Sequence, residues 1–183
     1  MTENTLSRPV GVAAPAPGDL GLTPELDLLV RRSVQLINLE ATFLDRKQYH
    51  AWDELWVPDG GRYVLPIGRV VADFDDHLNL VNDDTTMRRR RIERMSGGFA
   101  HAANTTGPIA RTVSRFTLVD CGADDVVIDS TEVVVALKHD VQQVWAAEMR
   151  HTLRQTDDGL RIREKVVWLL DSETTVRNCG FLL

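Results

Sequence analysis

Residues 126–155 read VVIDSTEVVVALKHDVQQVWAAEMRHTLRQ, and this stretch decides the fold. Val126 to Leu137 is crowded with β-branched residues, which suit a pleated and half-buried surface better than a helix. Val141 to Gln155 is a second run of strand length, and the two abut with room only for a short turn. Further on, Asp157-Asp158-Gly159 supplies tight-turn chemistry, and Leu160 to Asp171 forms another strand. Upstream, Arg111 to Val119 is a strand, joined to Val126 by the hairpin turn Cys121-Gly122-Ala123-Asp124-Asp125. Four long consecutive strands with turn-sized connections predict an antiparallel meander.

The chain before the meander is mostly helical. Thr23 is a good N-cap, Pro24 fits the first helical position, and Glu25 complements the positive helix end. Leu26, Val30, Ser33, Ile37, Ala41 and Leu44 then share one face, widened by Leu29 and Leu36, so an amphipathic helix is expected over 24–45. A short helix follows over 48–57, with Tyr49, Trp52 and Trp56 on one side and Pro58-Asp59-Gly60-Gly61 as its stop. Short strands are expected over Arg62–Ile67 and His77–Val81. Asn82, Asp83 and Asp84 can cap a third helix that runs to about Met95 and ends at Ser96-Gly97-Gly98. Helices first and strands after predict an α+β domain, with three helices from the N-terminal half packed on one face of a curved antiparallel sheet. Residues 1–22, rich in Pro, Gly and Ala, read as a flexible arm, leaving 23–183 as one domain.

Bulk properties narrow the class. A chain of 183 residues with 43% hydrophobic and 26% charged residues can bury one core of ordinary size. A net charge of −6 argues against nucleic-acid binding, where affinity comes from neutralising phosphates. No apolar stretch approaches bilayer length, and no secretory leader is visible, so no membrane association is expected. Two distant cysteines, Cys121 and Cys179, form no metal spacing and suit a reducing cytoplasm, the expected location.

Several local patterns, in order, resemble one family. Asp45-Arg-Lys-Gln-Tyr49-His50-Ala-Trp52 is similar to its Asp-x-x-x-Tyr-x-x-Trp junction between the first two helices. Asp59 followed by Arg62-Tyr63-Val64-Leu65-Pro66 resembles its first strand, and Arg91-Ile92-Glu93-Arg94-Met95 its third helix. Arg111-Thr112-Val113-Ser114 is similar to its Arg-Leu-Val-Ser, Arg161 to Val167 to its last long strand, and Asn178 to Leu183 to its closing segment. The family is the β (small) subunit of aromatic-ring-hydroxylating dioxygenases, and the resemblance covers roughly residues 25–183. One departure stands out: the family usually has Asn after that Ser, where this chain has Arg115.

The resemblance implies the cone-shaped roll shared with cystatin-like proteins and nuclear transport factor two. It implies a large α subunit as partner, carrying a Rieske [2Fe–2S] cluster and a mononuclear Fe(II). It also implies contacts with other β subunits in a hexamer of three α and three β chains, and NADH-driven dihydroxylation of an aromatic ring. In that reading this chain is a structural subunit, with no catalytic residue and no metal of its own.

The residues agree with a supporting role. A Rieske cluster needs paired Cys and His ligands, and no Cys-x-His or Cys-x-x-His occurs here. His50, His77, His101, His139 and His151 are widely spaced. Glu148-Met-Arg-His151 would suit a metal only on a helix, and it falls in a predicted strand. The run Arg88-Arg89-Arg90-Arg91, with Arg94 beyond, is the most unusual feature. On a helical wheel Arg89 faces outward and pairs with Glu93, whereas Arg91 projects between Met87 and Met95 on the side expected to be buried. Arg91 and Arg94 are therefore candidates for tying the third helix to neighbouring structure or subunits. Arg111, Trp145 and Trp168 are further structural or interface candidates. The alternative is a stand-alone lyase, cyclase or isomerase of the same cone fold, acting on a small cyclic substrate. Asp45, Tyr49 and His50 would then stand at the cavity mouth, with Tyr49 packed at the helix junction and Asp45 paired with a base such as Arg46 as the plainer reading.

Overall fold

The computed structural model describes residues 23–70, 72–97, 107–138, 140–174 and 181–183. The N-terminal arm, His101, His139 and Cys179 lie outside them. The first helix, α1 (Pro24–Asp45), starts where the sequence places it: the Thr23 hydroxyl accepts the Leu26 amide and Pro24 fills the first turn. A single short turn, α2 (Tyr49–Asp53), follows it. Beyond α2 the chain runs as turns to Trp56, which bridges to Ile162, so the helix expected over 48–57 is shorter. The third helix, α3 (Thr85–Ser96), is capped by the Asp84 carboxylate, which accepts the Met87 amide at 2.7 Å.

Six strands form one sheet: β1 (Arg62–Pro66), β2 (Asn79–Asp83), β3 (Ile109–Cys121), β4 (Asp125–Lys138), β5 (Val141–Thr156) and β6 (Gly159–Leu169). Their order across the sheet is β2-β1-β6-β5-β4-β3. The meander β3 to β6 is antiparallel as expected. The sheet as a whole is mixed, because β1 pairs parallel with β6. That pairing joins segments about a hundred residues apart, which local periodicity cannot report.

Each long strand has one face toward the helices and one away. Along β5, Trp145, Ala147, Met149, His151 and Leu153 are buried, and the alternate residues are more exposed. The inner residues of β4, β5 and β6 join Ile37 and Leu44 of α1, Trp52 of α2, and Tyr63 in the main core. Phe181, Leu182 and Leu183 complete that core. Phe181 meets Trp145 edge-on at 5.0 Å, and the Tyr63 hydroxyl donates to the Leu183 carbonyl oxygen at 2.7 Å. A second, smaller cluster of Val64, Phe74, Val166 and Trp168 lies on the other face, under the segment between β1 and β2.

Strand β3 carries a bulge. Ser114 faces Thr131 and Thr117 faces Asp129, so Arg115 and Phe116 together oppose Ser130. Arg115 takes a left-handed backbone, φ 57°. The inward set shifts phase across the bulge, from Ile109 and Val113 to Phe116 and Leu118.

Candidate functional site

The inner face of the sheet buries polar groups as well as apolar ones. Glu40 of α1 is fully enclosed. One carboxylate oxygen accepts from Trp52 Nε1 at 2.8 Å and lies 3.1 Å from Lys165 Nζ; the other meets His151 Nε2 at 2.8 Å. His151 and Lys165 are cross-strand partners on β5 and β6, so the register of the two strands builds a basic pair for one acid of the helix. Burial by itself would raise the Glu40 pKa. Lys165 and His151 outweigh it and hold the carboxyl well below the usual range. A buried ion group of this kind fixes α1 to the middle of the sheet.

A second buried group closes the end of α1. Arg111 of β3 has a fully buried side chain. Its Nε donates to Asp45 Oδ1 at 2.7 Å, its backbone amide donates to Asp45 Oδ2 at 3.1 Å, and its Nη2 donates to the Leu182 carbonyl at 3.0 Å. Glu132 stands 3.6 Å from Nη1. Asp45 sits at the negative end of α1, where a carboxylate is unfavourable without a cation, and Arg111 supplies one. The sequence reading had Asp45 capping or pairing with a neighbouring base such as Arg46; its partner is instead Arg111, 66 residues away. Tyr49 is buried beside this group, and burial raises its hydroxyl pKa against the opposing pull of Arg111. His50 is exposed. The three cavity-mouth candidates are thus split: Asp45 is paired with Arg111, Tyr49 is packed and His50 faces solvent.

The arginine run resolves differently from the wheel reading. Arg88, not Arg91, is the fully buried member. Its Nε donates to Asp53 at 2.9 Å and its guanidinium lies 4.2 Å from the Trp56 ring centroid. A Cβ at Gly61 would stand 2.9 Å from Arg88 Nη1, so a larger residue there would have to displace the guanidinium. Met87 is exposed, and Thr85, Arg88 and Ile92 form the inward side. The orientation of α3 follows Asp53 and Trp56 on the preceding turn, not its methionines. Arg89 also reaches Asp53, at 3.1 Å, and not Glu93. Arg91 is half-buried and bidentate to the buried Asp83 of β2, at 2.5 and 2.9 Å. Arg94 is exposed in the last turn of α3.

On the outer face, Trp168 is flanked by the guanidiniums of Arg69 and Arg150, 5.3 and 5.8 Å from its ring centroid. Arg69 pairs with Glu148, Arg150 with Asp129, and Arg154 and Arg163 both with Asp125. Toward the other end of the same strands the face turns apolar. Val133, Leu137 and Val144 are all exposed there, beside Leu170, which is 72% exposed. Register places Val133 opposite Ala146 and Val135 opposite Val144, and Leu170 bonds Ala146, so these side chains form one patch.

The chemistry available inside is limited. The His151–Glu40 pair has the composition of an acid–base dyad. Glu40 is already engaged by Trp52 and Lys165, and all four side chains are buried, so no reacting atom reaches it. Among the described residues no group of three or more His, Cys, Asp or Glu is arranged to hold a metal ion. Sequence reasoning passed over Glu40, Lys165 and Arg88. The available signal was a charged residue inside an apolar period: Glu40 lies three residues after Ile37 and four before Leu44. No described helix is long and apolar enough to cross a membrane.

Comparison with known proteins follows the same line. Residues 39–175 match the family model described as ring hydroxylating beta subunit. The small oxygenase component of the p-cumate 2,3-dioxygenase system of Pseudomonas putida is 28% identical over 138 residues, covering 73% of this chain and 75% of that protein. Among solved structures, naphthalene 1,2-dioxygenase with indole bound in its active site aligns with a TM-score of 0.71 at 15% identity, covering 86% of each chain. A protein of Novosphingobium aromaticivorans, like nuclear transport factor two and with a cystatin-like fold, aligns at 0.58 with 20% identity, covering 80% of this chain and 85% of that one. The two structural likenesses concern the fold.

Proposed function

The chain belongs to the ring hydroxylating beta subunit family, and from that premise we propose that it is the structural small subunit of an aromatic-ring-hydroxylating dioxygenase. It assembles and stabilises a large α subunit, and that α subunit carries the Rieske [2Fe–2S] cluster and the mononuclear Fe(II) for NADH-dependent dihydroxylation. The side chains of the described residues do not fit either centre. The sequence has two cysteines with no paired Cys–His motif, and His151 is committed to Glu40. The expected assembly is three α and three β chains, in the cytoplasm.

The observation that carries the reading is the division of labour between the two faces of the sheet. The inner face buries its main ion groups against one another, Glu40 with His151 and Lys165 and Arg111 with Asp45. The outer face leaves a contiguous apolar patch exposed, of the kind that marks an interaction site. The patch from Val133 to Val144 with Leu170 is the surface the α subunit covers. Arg91 and Arg111 act within the chain, fixing α3 to β2 and β3 to α1, and Trp145 packs the core. Trp168 is buried in the smaller cluster, and Arg94, exposed on α3, remains an interface candidate.

Native mass spectrometry after co-expression with the cognate α subunit tests this. The expected result is a complex that contains both chains, iron and acid-labile sulfide. A chain that stays monomeric beside a folded α subunit, or that turns over a cyclic substrate alone, contradicts it.

A further inference from the structure

Arg115 is set in β3 at some cost. It is a long, branched-head side chain on a residue with φ 57°, a region that favours glycine and, among other residues, asparagine and aspartate. The bulge itself has a structural purpose, since it brings Phe116 and Leu118 into the inward phase. That purpose needs a left-handed residue and gains nothing from a guanidinium. What the guanidinium does gain is position, because a bulge re-aims its side chain. Here the side chain lines a groove of about 230 Å³ on the outer face. The Trp168 ring is part of that groove, and the ion pairs Arg69–Glu148 and Arg150–Asp129 line it. Those two pairs neutralise each other. Arg115 has no acid among the described residues and gives the groove an unmatched positive charge. Thr117 and Thr131 line the same groove, the Thr117 hydroxyl donating to the Arg115 carbonyl. The groove adjoins the apolar patch directly, because Thr131 and Val133 are successive outward residues of β4.

We propose that this groove receives an acidic side chain of the α subunit, with Arg115 as its charge partner. This rests on the α-subunit reading above and goes beyond it, naming the chemistry that gives the apolar docking surface its register. An apolar patch alone permits sliding, whereas one charge pair at its edge fixes orientation.

The test uses the full chain with its cognate α subunit and three variants. Arg115→Asn suits the left-handed backbone better, so the isolated chain is expected to melt about 1–3 °C higher. The same variant is expected to bind the α subunit about tenfold more weakly, with the deficit shrinking at high salt. Arg115→Lys keeps the charge and should retain most of the affinity. Arg115→Glu should lose more than the asparagine variant. A more stable chain that assembles less well separates a docking role from a folding role. If wild type and Arg115→Asn assemble with equal affinity at low salt, the charge partnership is wrong while the subunit reading stands. If wild type itself ignores the α subunit, both fall.

Discussion

The two faces of β4 and β5 each carry exceptions to the usual arrangement of apolar inside and polar outside. Inward-facing positions include Ser130, Glu132 and His151, all buried; outward-facing positions include Val133, Leu137 and Val144, all exposed. Residues one position apart on the same strand thus have opposite tasks. On the inner face, charges removed from water must be paired, and the pairs available are Glu40 with His151 and Lys165, and Arg111 with Asp45 and Glu132. Each pair joins a helix or an edge strand to the centre of the sheet, so the inner polar groups determine where the helices sit. On the outer face, ion pairs between partly exposed side chains lie in water, where such pairs contribute little, and the apolar patch contributes nothing to the isolated fold. The difference separates residues that make the fold from residues that use it.

The sharpest way to break this comparison is to unbalance the inner group. Glu40→Gln leaves Lys165 buried without a counter-ion, and urea denaturation should show a loss of about 3–5 kcal/mol. The same substitution makes a pH prediction. The Glu40 carboxyl is held well below its unfolded value, so its stabilisation is present in full above about pH 4.3 and drains away as pH falls below that. Subtracting the variant's stability curve from the wild-type curve should give a difference that shrinks steadily below pH 4.3. A difference independent of pH would show that the carboxylate charge is not what Lys165 and His151 require. Arg111→Met comes next. It frees the partly exposed Asp45 at the end of α1, the Leu182 carbonyl and the buried Glu132, which stands farther off at 3.6 Å, and the expected loss is about 3 kcal/mol by the same denaturation measurement. At the bottom of the order, Asp129→Asn breaks the outer pair with Arg150, and less than about 1 kcal/mol should be lost. If Asp129→Asn proved as costly as Glu40→Gln, the two faces would not differ in the way described.

Sequence patterning made the fold legible wherever local chemistry decides it. Thr23-Pro24 marked the start of α1, Asp84 the start of α3, and the β-branched runs gave four long strands within a few residues of their observed ends. Long-range partnerships were not legible. The parallel pairing of β1 with β6 depends on the path of the whole chain. The choice of Arg88 over Arg91 as the buried arginine depends on where Asp53 and Trp56 lie in space, and the methionine-based wheel had no access to that. The Glu40 group needs three segments to converge, and only the oddity of an acid in an apolar stripe hinted at it. The left-handed backbone at Arg115 was not legible either, since the bulge that imposes it depends on how β3 pairs with β4.

The central claim is that the outer sheet face exists to be covered by an α subunit while the inner face holds the helices on the sheet. Calorimetric titration of the cognate α subunit with wild type and Val144→Asp measures it most directly. Val144 is 54% exposed, so the variant should unfold within about 0.5 kcal/mol of wild type. Placing a charge in the patch should weaken binding of the α subunit at least tenfold. Unchanged affinity, with a folded Val144→Asp chain, would contradict the account.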